Sequence, residues 1–114
     1  MVSLDRLTMF VSTTAATGVV SGETRLNFEQ RGERVWARYA GGKVVHGWLV
    51  GRWIANSLHF RYAQIEDPHT IHAGHSTCDV QRLPDGRLRL IEHFAWSTRV
   101  GSGMNVFDEL SRVV

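Results

Sequence analysis

Apolar and polar side chains alternate twice along residues 21–42, SGETRLNFEQRGERVWARYAGG, once on each side of a charged turn at Arg31-Gly32-Glu33. A period of two belongs to a strand with one buried face, so this stretch predicts a hairpin. The same period runs through most of the chain. It predicts strands at Met9–Ser12, Val20–Gln30, Arg34–Ala40, Lys43–Trp53, Leu58–Ile65, His69–Arg82, Arg87–Trp96 and Met104–Leu110. The breaks between them have physical causes. Gly32 and the pair Gly41-Gly42 can take the positive φ of tight turns. Pro68 lacks the donor a ladder needs, and Pro84-Asp85-Gly86 presets a turn. Longer loops fall at 13–18 and 97–103, and either has residues small enough to move as a lid. No window of 11 or more residues has an apolar stripe at helical spacing, and LDRLTMF, residues 4–10, offers one helical turn at most.

Eight strands joined by short turns form a meander. An open sheet of that size in 114 residues would leave one face bare, with no helix to cover it. Closure buries one face and removes both edges. The expected fold is all-β: a single domain over residues 1–114, a small closed antiparallel up-and-down barrel of about eight strands. A barrel of this size either fills with its own side chains or holds one small ligand.

Parity along each strand assigns the interior. Gly22, Thr24, Leu26 and Phe28 share one face of the second strand, and Val35, Ala37 and Tyr39 one face of the third. Leu58, Phe60, Tyr62 and Gln64 do the same in the fifth, His72, Gly74, Ser76 and Cys78 in the sixth, and Leu88, Leu90, Glu92, Phe94 and Trp96 in the seventh. The fourth strand is ambiguous. Val45, Gly47, Leu49 and Gly51 oppose Val44, His46, Trp48 and Val50, and both sets are apolar enough to bury. Glycines on the first set point to tight curvature or to room for a ligand. The second set then leaves Trp48 and Val50 outside, beside Trp36 of the third strand. Trp36 can stack on its neighbouring arginines, and the expected use of this face is a homodimer seam through Trp36 and Trp48. A bulge that reverses the parity of the fourth strand is the alternative.

Glu92 stands out because its four face-mates are apolar. A buried carboxylate costs several kcal/mol unless it is paired or hydrogen-bonded, and burial raises its pKa. Tyr39, Tyr62, Ser76 and Thr24 are its candidate partners. The arrangement is either a structural polar core or a ligand contact, in which a carboxyl can move a proton. His72 joins the candidates because it shares a face with Ser76.

Charge and composition exclude more than they assign. The formal charge is +2, and twelve of the thirteen basic residues are arginine, spread with no run longer than Arg87 and Arg89. That spread predicts no nucleic-acid partner. Lys43, the one lysine, lies in a turn. Cys78 is the one cysteine, so no internal disulfide forms. No apolar run approaches the roughly 20 residues of a membrane helix, and MVSLDRLTMF has no signal-peptide character, so no membrane partner and a cytoplasmic location are expected. His69, His72 and His75 fall three apart, which on a strand splits them between faces, so no metal is expected. Gly101-Ser102-Gly103 precedes a strand and not a helix, so no phosphate loop forms, and no cofactor is expected.

Ser21-Gly22-Glu23-Thr24, Val35-Trp36-Ala37, Tyr39, Gly41-Gly42, Gly47-x-Leu49-x-Gly51 and Asp85-Gly86-Arg87-Leu88, extended by Glu92 and Trp96, resemble a family of short bacterial proteins over about residues 19–109. Members often carry the name "N-acetylglutamate synthase". The name does not transfer, because acetyl-CoA-dependent synthases need a mixed sheet, helices and a pyrophosphate-cradling loop. In shape the expected barrel is similar to the calycins, the lipocalin and avidin type of small-molecule barrel, and to small bacterial barrel cyclases.

Three functions compete. The first is binding of a small, largely apolar or aromatic metabolite, with Thr24, Phe28, Leu49, Phe60, Ser76, Phe94 and Trp96 as ligand contacts. The second is a cofactor-free isomerase or cyclase acting on a natural-product-like substrate. There Glu92 moves the proton, with Tyr39, Tyr62 and His72 as further catalytic candidates. The third is a packed interaction barrel with no cavity.

Overall fold

The computed structural model describes residues 2–110. It has eight strands: β1 Thr8–Thr13, β2 Arg25–Arg31, β3 Arg34–Gly41, β4 Val44–Ile54, β5 Ser57–Glu66, β6 Thr70–Arg82, β7 Leu88–Trp96 and β8 Ser102–Glu109. Each pairs with the next, and β8 returns antiparallel to β1, so the sheet is a closed barrel. The all-β, eight-stranded, antiparallel up-and-down architecture is as the alternation predicts. No helix of the described residues is long and apolar enough to cross a membrane.

In a meander the connections alternate between ends. The β1–β2, β3–β4, β5–β6 and β7–β8 connections share one end. The other end is plugged by residues 2–7. Leu4 is fully buried there, and Gln30 ties the plug down: its Oε1 accepts from the Leu4 amide at 3.0 Å and from Trp53 Nε1 at 3.2 Å. The single helical turn expected at residues 4–10 is not formed. Arg6 takes φ 64°, and its amide donates to the Phe28 carbonyl at 2.9 Å, which makes the segment a turn.

Most parities are as expected, and the exceptions have local causes. β2 begins at Arg25, five residues later than the alternation predicts, because Ser21–Thr24 closes a turn. The Thr24 amide donates to the Ser21 carbonyl at 2.9 Å. The Thr24 hydroxyl accepts from the Ser21 amide at 3.0 Å and donates to the Gly41 carbonyl at 3.1 Å. Gly22 is therefore exposed, not inward. In β4 the register shifts between Val44 and His46. Val44 is buried at 2 % exposure and Val45 lies out at 54 %. Beyond that bulge Gly47, Leu49 and Trp53 face the core, so the β4 face chosen from parity is right except at Val45.

Candidate functional site

The barrel end formed by the β1–β2 and β7–β8 connections holds a cavity. Gly18, Val19 and Val20 roof it, and Leu26, Tyr39, Leu49, Phe60, Tyr62, Gln64, Glu92, Phe94, Trp96, Asn105 and Phe107 wall it. The space free for the centres of water molecules is about 30 Å³, enough for one or a few waters.

The two tyrosines enter the barrel because glycines face them. Tyr39 is registered against Gly47, and Tyr62 against Gly74. A Cβ at position 47 would overlap the Tyr39 ring, and one at position 74 would overlap the Tyr62 hydroxyl. The room that the β4 glycines were expected to leave for a ligand is filled, at Gly47, by the protein's own ring. The aromatic wall continues edge to face: Tyr62 meets Trp96 at 5.5 Å between centroids, and Phe94 meets Trp96 at 5.9 Å. This is the favoured geometry for such rings.

Two polar networks reach the cavity. In the first, the Tyr39 hydroxyl donates to Gln64 Oε1 at 2.7 Å, and Gln64 Nε2 donates to Glu66 Oε2 at 2.9 Å. Glu66 pairs in turn with Arg99, whose guanidinium lies 4.1 Å over the Trp96 ring. In the second, Glu92 accepts from Ser76 Oγ at 2.7 Å and from Asn105 Nδ2 at 2.9 Å. Asn105 Oδ1 accepts from the Ala15 amide at 2.8 Å, which fastens the β1–β2 connection to the wall. The Trp96 indole N–H donates to the Thr17 carbonyl at 2.9 Å, and the Thr17 hydroxyl donates to the Ser102 carbonyl at 2.6 Å. These bonds make residues 14–24 a strap across the barrel end.

Burial raises the Glu92 pKa, and the hydrogen bonds from Asn105 and Ser76 and then the His93 charge pull it back only in part. Burial pushes the Tyr39 hydroxyl above its ordinary range, and Glu92, Tyr62 and Glu66 add to that. Tyr62 is pushed up by burial and then by Glu92, against the opposing charge of Arg99. Both phenols are neutral hydrogen-bond donors at any physiological pH. Cys78 is buried, and desolvation, then Glu92 and Asp79, raise its thiol pKa, which leaves an unreactive thiol.

Glu92 makes a pH-dependent prediction. Its folded pKa lies above the ordinary glutamate value of 4.5, so the folded state binds the proton more tightly than the unfolded chain. The Glu92 contribution to stability is complete below that value and is lost as pH rises through the folded pKa. Chemical denaturation of Glu92→Gln and wild type across this range should show the variant gaining on wild type as pH rises. Parallel pH profiles would mean that the carboxyl carries no burial penalty.

Of the residues expected at a site, Glu92, Tyr39, Tyr62, Leu49, Phe60, Phe94 and Trp96 line the cavity. Four do not. Both hydrogen-bonding roles of the Thr24 hydroxyl are used in its turn. Phe28 is packed in the core at 1 % exposure. Ser76 supports Glu92 from β6. His72 sits at the rim, with Nδ1 2.8 Å from Thr98 Oγ1 and its ring 6.1 Å from that of Trp96. Among the described residues no three His, Cys, Asp or Glu side chains are grouped as metal ligands. Gln64 and Asn105 were missed as site residues, although Gln64 continues the inward parity of Phe60 and Tyr62, and Asn105 alternates with Phe107. Glu66 continues the same inward parity one residue past the expected end of its strand, whereas Arg99 and the strap residues Val19 and Val20 carry no alternation that would reveal them. Trp36 and Trp48 lie on the outer wall. The arginine stacking expected of Trp36 occurs at Trp48, where Arg38 sits 5.8 Å from the ring centre, while Trp36 Nε1 donates to Glu29 at 2.8 Å.

Residues 2–110 match a family model described as avidin-like protein. No curated protein and no solved structure matches the chain.

Proposed function

This chain belongs to the avidin-like protein family, a family of small-ligand-binding barrels, and from that premise we propose that its chamber binds a small, largely apolar or aromatic metabolite. The observation that carries this reading is an aromatic wall interrupted by only two polar networks. Each Glu92 oxygen accepts one bond from the protein, which leaves acceptor capacity for a ligand donor. Tyr39, Gln64 and Asn105 border the same space. A pocket with few convergent polar groups in an apolar lining orients a ligand by those groups and holds it by contact area.

The 30 Å³ cavity is too small for a metabolite as it stands. Entry therefore requires Gly18–Val20 to lift, and binding should be read at the strap as well as in affinity. Native mass spectrometry of the purified protein, then thermal shift with any released molecule and with biotin, a ligand of this family, tests the reading. A bound ligand should raise Tm and slow amide exchange across residues 14–24. Absence of any adduct, together with no Tm or exchange change across a metabolite panel, would favour a packed barrel.

The raised pKa of a carboxyl in a water-poor cavity favours a second reading, an isomerase or cyclase in which Glu92 transfers the proton. Glu92→Gln separates the two. An enzyme loses turnover and keeps binding, whereas a binder has no turnover to lose.

A further inference from the structure

The chain has no Asp or Glu between Glu33 and Glu66. That interval spans β3, β4 and β5 up to its last residue. It carries Arg34, Arg38, Arg52 and Arg61 on the strands and Lys43 in the β3–β4 turn, so three adjacent strands hold four positive charges and, on their outer face, no carboxylate. Register gathers these residues. Arg34 stands opposite Arg52, Arg38 opposite Trp48, and Trp36 opposite Val50. Arg61 stands opposite Val50 and His59 opposite Arg52. Arg31 of β2 extends the first row, opposite Arg34.

Like charges directly opposite across strands are destabilising, and nothing on this face relieves them. The ion pairs among the described residues use Arg6, Arg87, Arg89, Arg99 and His93. None uses Arg31, Arg34, Arg38, Arg52 or Arg61, all of which are exposed. Elsewhere Glu66, Glu92, Asp108 and Glu109 are buried, so the surface is more basic than the formal charge of +2 conveys. Between the arginines lie exposed apolar groups: Trp48 at 45 % and Val50 at 66 %.

We propose that the outer wall of β3, β4 and β5 is a docking face for single-stranded nucleic acid. Residues two apart on a strand lie about 6.6–6.8 Å apart and neighbouring strands about 4.8 Å, so the rows present cations at the scale of successive backbone phosphates. Guanidinium groups bind phosphate in a fork geometry. Arg38 already lies 5.8 Å from the Trp48 ring centre, and the exposed remainder of that indole gives an unpaired base a surface to stack on beside a guanidinium. A second copy docked through Trp36 and Trp48 would set arginine against arginine across the two-fold axis, with Glu29 at the margin already held by Trp36 Nε1. An acidic protein segment would satisfy the charges and leave the indole without a flat partner. The face lies on the other side of the sheet from the chamber, so it stands or falls independently of the ligand reading.

Fluorescence anisotropy with a labelled single-stranded oligodeoxynucleotide, over a salt series, tests this. Neutralising three or four phosphates predicts a slope of about −2 to −3 in log K against log salt. Arg52→Glu with Arg61→Glu should weaken binding more than about tenfold, while the same pair changed to lysine should stay within about threefold. Trp48→Ala should weaken it by about fivefold or more. Unchanged circular dichroism and Tm would show that each variant is folded. Absence of binding at low salt overturns the proposal. So does equal competition by a duplex of the same sequence or by polyglutamate, which would reduce the face to a general anion surface. A dimer in sedimentation velocity that Trp48→Glu converts to monomer, without oligonucleotide binding, would assign the face to a second copy.

Discussion

Asn105→Ala is expected to lower the unfolding free energy by about 3 kcal/mol, because one amide serves two buried partners. Its Nδ2 donates to Glu92, and its Oδ1 accepts from the Ala15 amide. Truncation leaves a buried carboxyl with one donor fewer and a strap amide with no acceptor, and each orphaned group costs about 1–3 kcal/mol. The loss should be local as well as global. Amide exchange at Ala15 and its neighbours should speed up by more than the global change accounts for, since the strap loses its bond to the wall. Asn105→Asp keeps an acceptor for Ala15 and sets a second carboxyl against Glu92, so its defect should shrink as pH falls and the pair shares a proton. Denaturation curves with exchange mass spectrometry read both effects. A loss below about 1 kcal/mol for the alanine variant would show that water takes over both bonds.

Gly47→Ala is expected to cost about 2 kcal/mol, within the usual range for overpacking a filled core. The added methyl falls on the Tyr39 ring, which is 5 % exposed and is held by its bond to Gln64. The ring cannot turn away without breaking that bond. Tyr39→Leu removes the ring and should relieve the clash. The two substitutions should therefore be non-additive by about 1 kcal/mol or more in a double-mutant cycle. Additive losses would mean that β4 yields at Gly47 and that the ring does not define the shape of the chamber. Because Tyr39 also borders the cavity, Gly47→Ala should change ligand affinity along with stability.

Alternation revealed the strands because each has one face in the core, and the identities of Phe60, Tyr62, Glu92 and Phe94 as inward residues followed from parity alone. Parity failed where polar and apolar residues stop alternating. Val44 and Val45 are both apolar, so a bulge between them leaves no trace in the pattern. Val19, Val20 and Ser21 look like the start of a strand, but the β1–β2 ladder pairs only Thr8 to Phe10 with Asn27 to Arg25. The stretch before it finds no partner strand and becomes the strap. The network from Tyr39 to Arg99 joins residues 60 positions apart, beyond the reach of any local pattern. The outer arginines look scattered along the chain for the same reason. Spacing along the chain says nothing about rows that form across strands.

The pairing of β1 with β8 sets the order in which the molecule can be made. Met9 is registered against Glu109, about 100 residues away, and loop-closure entropy opposes such a contact until the intervening hairpins have formed. During synthesis β1 and β7 therefore present open ladder edges until β8 has emerged, and open edges recruit other chains. A chain stopped before Ser102 would keep its hairpins and lose its seam. Its expected fate is association with its own kind, so ribosomal pausing or proteolysis near the β7–β8 loop would be more damaging than the loss of thirteen residues implies.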